Sequence, residues 1–389
     1  KTLKGFGKVY SLTQGEKGYI ICINHDEATH INIDEIKPFL SNYSKIYIRD
    51  RKSFINHFPF KNLIYVNNQK EFTTKTHSFF YQKHSDKLNI NIIIPLVKHY
   101  ERCELIFNDI KEECFGNQTI YDNKLSTVFA YIENNGILID NKLFDKYYKP
   151  TNKSFSIRDN TIYTQYNLIT TTGRPSNSFN GINFAALKKD DGSRKVFIPK
   201  NDYFIEIDIN AYHPTLLGKL LNFEFGDETP YQYFAREANI ELDKSKILLI
   251  KQMYGGVFDQ YKNIDFLKRM DEFVNNLWDE FNNEGFIECP ISNFKFYKDK
   301  LPNMNPQKLL SYLIQNVETS TNVNILWDVI KLLRGKNTQI VLYTYDSILI
   351  DYDENDDIKD KIIKIFENNK LKTKVTTGKN YGEMELIEK

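Results

Sequence analysis

Phe204-Ile205-Glu206-Ile207-Asp208-Ile209 is a β-branched and aromatic run that carries an acid near its end, and Gln339-Ile340-Val341-Leu342-Tyr343 is a second such run, three residues short of Asp346. Each reads as a buried strand that delivers an aspartate. More apolar sequence follows both acids, Tyr212 to Leu217 after the first and Ile348-Leu349-Ile350 after the second. An unpaired carboxylate in such a setting is costly, and a divalent cation shared between two strand ends offsets that cost. Oxygen ligands suit magnesium, and two cations about 3.5–4 Å apart stabilise the attacking and leaving oxygens of phosphoryl transfer. Taken singly, the acids have plainer readings. Asp208 would cap a helix beginning near Ala211, and Asp346 would be a turn residue in a Tyr-Asp-Ser hairpin.

Between the two strands the periodicity predicts helices over 242–254, 266–282 and 306–333. The first places Lys246, Ile250 and Tyr254 at i, i+4 and i+8, on one face. A lysine, an apolar side chain and a tyrosine in that order can meet phosphates, sugar and base in turn, and lysine is a suitable point charge for a triphosphate. By itself the segment is equally an ordinary amphipathic helix closed by Gly255-Gly256.

The 389 residues are 41% apolar and 14% aromatic, enough to bury a core in two or three domains. No apolar run is long enough to span a bilayer and no signal-peptide pattern opens the chain, so a cytoplasmic location, bacterial or in an infected host, is expected. The 52 basic and 51 acidic residues nearly cancel, so any nucleic-acid surface must come from local segregation of charge. Cys22, Cys103, Cys114 and Cys289 form no CxxC pair, which argues against a zinc knuckle or a disulfide framework. Six of the seven histidines precede residue 100, leaving His213 alone in the later part of the chain, so a histidine metal site there is nearly excluded. The first 110 residues alternate short β-like runs (Gly18 to Ile23, Lys45 to Ile48, Asn62 to Val66, Ile92 to Pro95) with polar or helical stretches, which predicts a small α/β module.

Together these residues resemble A-family DNA polymerases. Thr172-Gly173-Arg174-Pro175-Ser176, Asp208, the Lys246 to Gly255 helix, Gln315 and Asp346 follow in the order of that family's TGR motif and motifs A, B and C. Gly136-Ile137-Leu138-Ile139-Asp140, Thr161 to Asn167, Gly285-Phe286-Ile287-Glu288 and Val375 to Tyr381 resemble smaller family segments, so the resemblance covers roughly residues 120 to 389. It implies an α+β right hand with palm and fingers, preceded by a small α/β exonuclease-like domain, that adds deoxynucleotides to a primer 3′ end. It also implies two magnesium ions, with manganese as an alternative, held by Asp208, Asp346 and the carbonyl of Ile209. Lys246, Ile250 and Tyr254 would meet the nucleotide, and Arg174, Gln315 and Asn183 the primer-template. The implied partners are a primer-template, dNTPs and a processivity or replisome partner, with no membrane, in phage, plasmid or bacterial replication or repair.

Departures from the family pattern are equally specific. His213 stands five residues after Asp208, where these enzymes carry a glutamate that excludes a ribose 2′-hydroxyl, so His213 or Tyr212 becomes the candidate sugar gate. Ser347 follows Asp346 in place of a second acid, Ile250 replaces an aromatic residue, and Leu242 replaces an arginine for which Lys244 is the substitute. About 20 residues separate Asp140 from the Thr161 strand, where the family places a long helical thumb, so the thumb is expected to be absent or reduced. The segment Ile20 to Glu27 resembles the first exonuclease strand, but Asn24 stands where that site needs an acid, which predicts a degenerate scaffold. The expected domains are 1–115 exonuclease-like, 116–160 connector or thumb remnant, 161–220 palm, 221–300 fingers and 301–389 palm. The rival readings are a single-subunit phage-type RNA polymerase, which shares the palm, a B-family DNA polymerase, which Asp208 to Pro214 and Tyr343 to Ser347 also resemble, and a catalytically idle nucleic-acid-binding scaffold.

Overall fold

The computed structural model describes residues 119–387 apart from 150–154, 156, 169 and 178–181, together with Pro38 and five short strands among the first 118 residues. The chain divides into two compact units, Lys1–Ala130 and Tyr131–Lys389. In the first, Thr13–Gly15, Gly18–Ile23 and Glu27–Ile31 form an antiparallel meander, and Ile46–Ile48 pairs in parallel with Leu63–Tyr65. The run Ile92 to Pro95, Asn24 and Asp26 of the nuclease-like segment, and Cys103 and Cys114 lie outside the described residues.

The second unit is built on a five-stranded antiparallel sheet of β1 (Tyr203–Ile209), β2 (Gln339–Tyr343), β3 (Ser347–Tyr352), β4 (Thr373–Asn380) and β5 (Glu383–Leu386). Its strand order is β2-β3-β1-β4-β5, which puts β1 in the centre with β3 and β4 on its flanks. The two-residue period of a strand fixes the faces. Phe204, Glu206 and Asp208 share one face with Asp351, Leu349 and Ser347 of β3 and with Gly378, Thr376 and Lys374 of β4. That face is closed at the Phe204 end by a core that includes Ile139, Phe184, Phe197, Leu342, Leu349 and Tyr381. At the Asp208 end it opens to a cavity.

Between β1 and β2 run α1 (Tyr212–Leu220), α2 (Pro230–Glu237), α3 (Leu242–Gly255), α4 (Asp265–Asn283) and α5 (Pro306–Leu332), and α6 (Lys359–Asn368) precedes β4. Local chemistry sets their ends. Thr229 caps α2 through a reciprocal pair, its Oγ1 accepting from Gln232 N at 3.2 Å while Gln232 Oε1 accepts from Thr229 N at 2.8 Å, with Pro230 in the first turn. Asn305 caps α5 by accepting from Lys308 N at 2.8 Å, and each such cap stabilises its helix by about 1 kcal/mol. α4 buries Phe266, Leu267, Met270, Val274, Leu277 and Phe281 along one stripe. That stripe joins Phe234, Leu249, Met253, Leu310 and Ile314 in a separate helical core. α5 is different: it is buried on most sides, and its middle carries Asn316, Glu318, Thr319, Ser320 and Asn322 inside the protein.

Between Asp140 and Thr161 the described elements are one short helix, Asn141–Tyr147, and the two-residue strand Ile157–Arg158. Among the described residues no helix is long and apolar enough to cross a membrane.

Candidate active site

Asp208 sits next to last in β1, opposite Ser347 of β3, and Ile209 N donates to Asp346 O at 2.9 Å. One register therefore sets both acids side by side. Asp346 stands in a two-residue hairpin turn closed by Thr344 N donating to Ser347 O at 2.9 Å, with Tyr345 at φ +69°. A left-handed conformation is unfavourable for a bulky side chain, and this turn is held by packing and hydrogen bonds. Asn322 Nδ2 donates to Tyr345 O at 2.7 Å, and the guanidinium of Arg174 lies 3.7 Å from the Tyr345 ring centre. The hairpin reading of Asp346 and its placement beside Asp208 thus hold together. The capping reading of Asp208 does not, because α1 is capped by Ala211 in the left-handed region, with no side-chain hydrogen bond.

The cavity over these acids has a volume of about 840 Å³ and is lined by Arg174, Lys189, Asp208, Tyr212, His213, Lys246, Ile250, Glu318 and Asp346, among others. Lys246 is exposed on it and Ile250 half-buried, so the predicted face of α3 does front the two acids. Tyr254, the third member of that face, is reached by His213, whose Nδ1 shares a hydrogen bond with the tyrosine hydroxyl. Tyr212 is turned inward and its hydroxyl donates to Asn322 Oδ1 at 2.7 Å, which leaves His213 as the sugar-gate candidate whose ring borders the cavity, held by Tyr254 at Nδ1 and by Glu318 at Nε2. Tyr254 and three further candidates are not among the lining residues. Lys244 is exposed and paired with Glu241 at 2.8 Å, Gln315 donates to Ser311 Oγ at 3.1 Å, and Asn183 is exposed at the start of the short turn Phe184–Ala186.

A residue that sequence reasoning missed is Glu318. It is 1% exposed in the middle of α5, and two other chain segments converge on it. Arg174 Nη2 donates to Glu318 Oε1 at 3.1 Å while Arg174 Nε lies 2.9 Å from Oε2, and His213 Nε2 lies 3.2 Å from the same Oε2. The turn that brings Arg174 there needs Gly173, at φ +67°, where a Cβ would come within 2.4 Å of Asn316 Nδ2. That amide donates to Thr172 O at 2.8 Å, fastening the turn to α5.

The charges of the site repel. Desolvation by the concave walls, then the neighbouring Asp346 and Glu206, raise the Asp208 pKa, with Lys189 and Lys374 opposing. Desolvation and then Glu318 raise Asp346, with Arg174 and His213 opposing. Two adjacent carboxylates beside a backbone carbonyl, all hard oxygen donors, fit magnesium, which characteristically takes one or two protein carboxylates and completes its shell with water and substrate phosphates. Among the described residues no group of three or more His, Cys, Asp or Glu side chains is placed to form a closed protein cage. Because a raised carboxylate destabilises the fold as pH climbs past its unfolded value, Asp208→Asn is expected to raise the thermal midpoint of the metal-free protein at neutral pH. Magnesium should raise the thermal midpoint of the wild type and much less that of Asp208→Asn, as measured by scanning calorimetry.

The sheet, helices and cavity together form a mixed α+β fold that resembles a polymerase domain. In particular, it is similar to the POL domain of Pol1 from M. smegmatis in complex with DNA primer-template and dNTP, with a TM-score of 0.74 over 98% of this chain and 96% of that one, at 10% sequence identity. No protein-family model matches the sequence. An uncharacterized protein of Buchnera aphidicola subsp. Baizongia pistaciae (strain Bp) is 25% identical over 342 residues, the match taking in 72% of this chain and 46% of that protein. The chain thus spans about half the length of that curated relative.

Proposed function

We propose that the chain is a DNA-templated DNA polymerase of the A-family type, with palm at 161–220 and 301–389 and fingers at 221–300. The observation that carries this reading is the convergence of Asp208, Asp346 and Lys246, from a strand, the hairpin turn beside it and a facing helix, on one cavity. The fold likeness to a polymerase bound to primer-template and dNTP supports it.

In this reading Lys246 meets the phosphates of an incoming dNTP, Ile250 lies under its sugar and Tyr254 backs the new base pair. Arg174, fixed by Glu318 and by the Tyr345 ring, positions the primer terminus. His213 occupies the place where a 2′-hydroxyl would fall. Asp208, Asp346 and the Ile209 carbonyl would hold magnesium, which supplies activation of the 3′-hydroxyl and neutralisation of the leaving pyrophosphate when bound. The chain's own share is positioning and a preorganised field for in-line attack on the α-phosphate.

Primer extension on a DNA template, with dNTPs or rNTPs, tests the reading. Extension with dNTPs is expected. Extension with rNTPs alone would move the assignment to a phage-type RNA polymerase, and DNA binding without any extension would make the chain an idle scaffold. Lys246→Ala should raise the KM for dNTP about tenfold, the loss of one charge-assisted contact, with a smaller change in DNA affinity.

A further inference from the structure

On the flank of Asp208 away from the Asp346 hairpin lies a second cavity of about 220 Å³. The sheet register brings Lys374 opposite Asp208 and Thr376 opposite Glu206, so these side chains meet on one face. Lys189 and Arg194, from the segment before β1, also line it, as do Tyr381, Gly382 and Met384, and Lys189 borders the larger cavity as well. Arg194 is buried and rigid: Nε and Nη2 donate to Leu187 O at 3.2 and 2.8 Å, and its guanidinium lies 4.7 Å from the Tyr381 ring centre. Lys189 and Lys374 make no hydrogen bond or ion pair among the described residues.

Two acids share this lining. Asp208 faces the reaction, and Glu206 Oε1 is held by Ser347 Oγ at 2.9 Å and by the Tyr381 hydroxyl at 3.4 Å. The hydroxyl of Thr376 is the reverse case. Thr376 is 9% exposed, its Oγ1 is buried without a hydrogen-bond partner, and it lines the cavity. Buried polar atoms are nearly always paired, so an orphan hydroxyl among three cations marks a place for an anionic oxygen.

We infer that this cavity is a phosphate subsite, distinct from the Lys246 side of the site and built by Lys189, Arg194, Lys374 and Thr376. Its phosphate comes either from pyrophosphate or from the backbone of a bound strand. The inference rests on the polymerase reading for the source of the phosphate, and on the cavity alone for the chemistry.

The test uses the full chain as wild type, as the double variant Lys189→Gln/Lys374→Gln and as Thr376→Val. Both lysines are exposed, and valine suits a buried strand position, so all three are expected to fold. Binding of inorganic pyrophosphate is measured by calorimetry, and binding of a labelled primer-template is measured across a salt series. If the ligand is pyrophosphate, its affinity falls about tenfold or more in the double variant and severalfold in Thr376→Val. If it is a strand phosphate, pyrophosphate binding holds while primer-template affinity falls in both variants, and the double variant's log-log salt slope shrinks by roughly one to two. Affinities unchanged within twofold overturn the subsite. So does a loss confined to the lysine variant, because diffuse charge would not respond to one hydroxyl. Failure of the wild type to extend a primer, with phosphate binding still dependent on these residues, sinks the polymerase reading and leaves the subsite standing.

Discussion

Asp208→Ala and Asp346→Ala are each expected to abolish primer extension, lowering the rate by roughly a thousandfold or more, while leaving duplex affinity within a fewfold. The size of the effect follows from the position of the acids. Both project from the junction of β1 and β3, and neither is needed to hold that junction, since the backbone bond from Ile209 N to Asp346 O persists whatever the side chains are. Folding should therefore survive, and single-turnover extension beside a DNA-binding assay separates the two readouts. Near-normal extension by Asp346→Ala would show that the metal and its chemistry lie elsewhere.

Glu318→Ala carries the second large effect, a loss of about 1.5–3 kcal/mol of stability, because it removes the buried charged acceptor that holds Arg174 and His213, while the Arg174 side chain, 25% exposed, keeps its access to the cavity. Chemical denaturation reads this directly. Glu318→Gln keeps the side-chain volume and one acceptor oxygen, so its loss should be smaller, and the difference between the two variants isolates packing from charge. A loss below 1 kcal/mol for Glu318→Ala would mean that the buried pair is not formed. The same variants should weaken extension by freeing Arg174 and His213, and nothing in the positions of Asp208 or Asp346 depends on them directly.

The two aspartates and the α3 face were legible in the sequence because their signals are local: an apolar strand with an acid near its end, and a helical period that aligns Lys246 with Ile250. Glu318 was not. Its partners Arg174 and His213 lie far back in the chain, and no spacing rule links them. The available cue was compositional, a polar stretch from Asn316 to Asn322 within an otherwise apolar 27-residue helix, and such a stretch reads as a solvated face until burial is known. The contact between Glu318 on α5 and His213 on α1 joins segments that a linear motif comparison cannot link. Lys244, read as the substitute for an arginine absent at Leu242, lies outside the cavity lining and pairs at the surface with Glu241.

The placement of β1 also governs how the molecule can be made. Both strands that flank β1 come from residues beyond 346, so its backbone donors and acceptors wait on each side until synthesis has passed residue 380. Long-range pairing of this kind is slow, and an unpaired apolar strand is a template for association with other chains. Nascent chains truncated before β3 should consequently depend on chaperones, and a candidate site drawn from both halves of the unit would be the last part to acquire its native form.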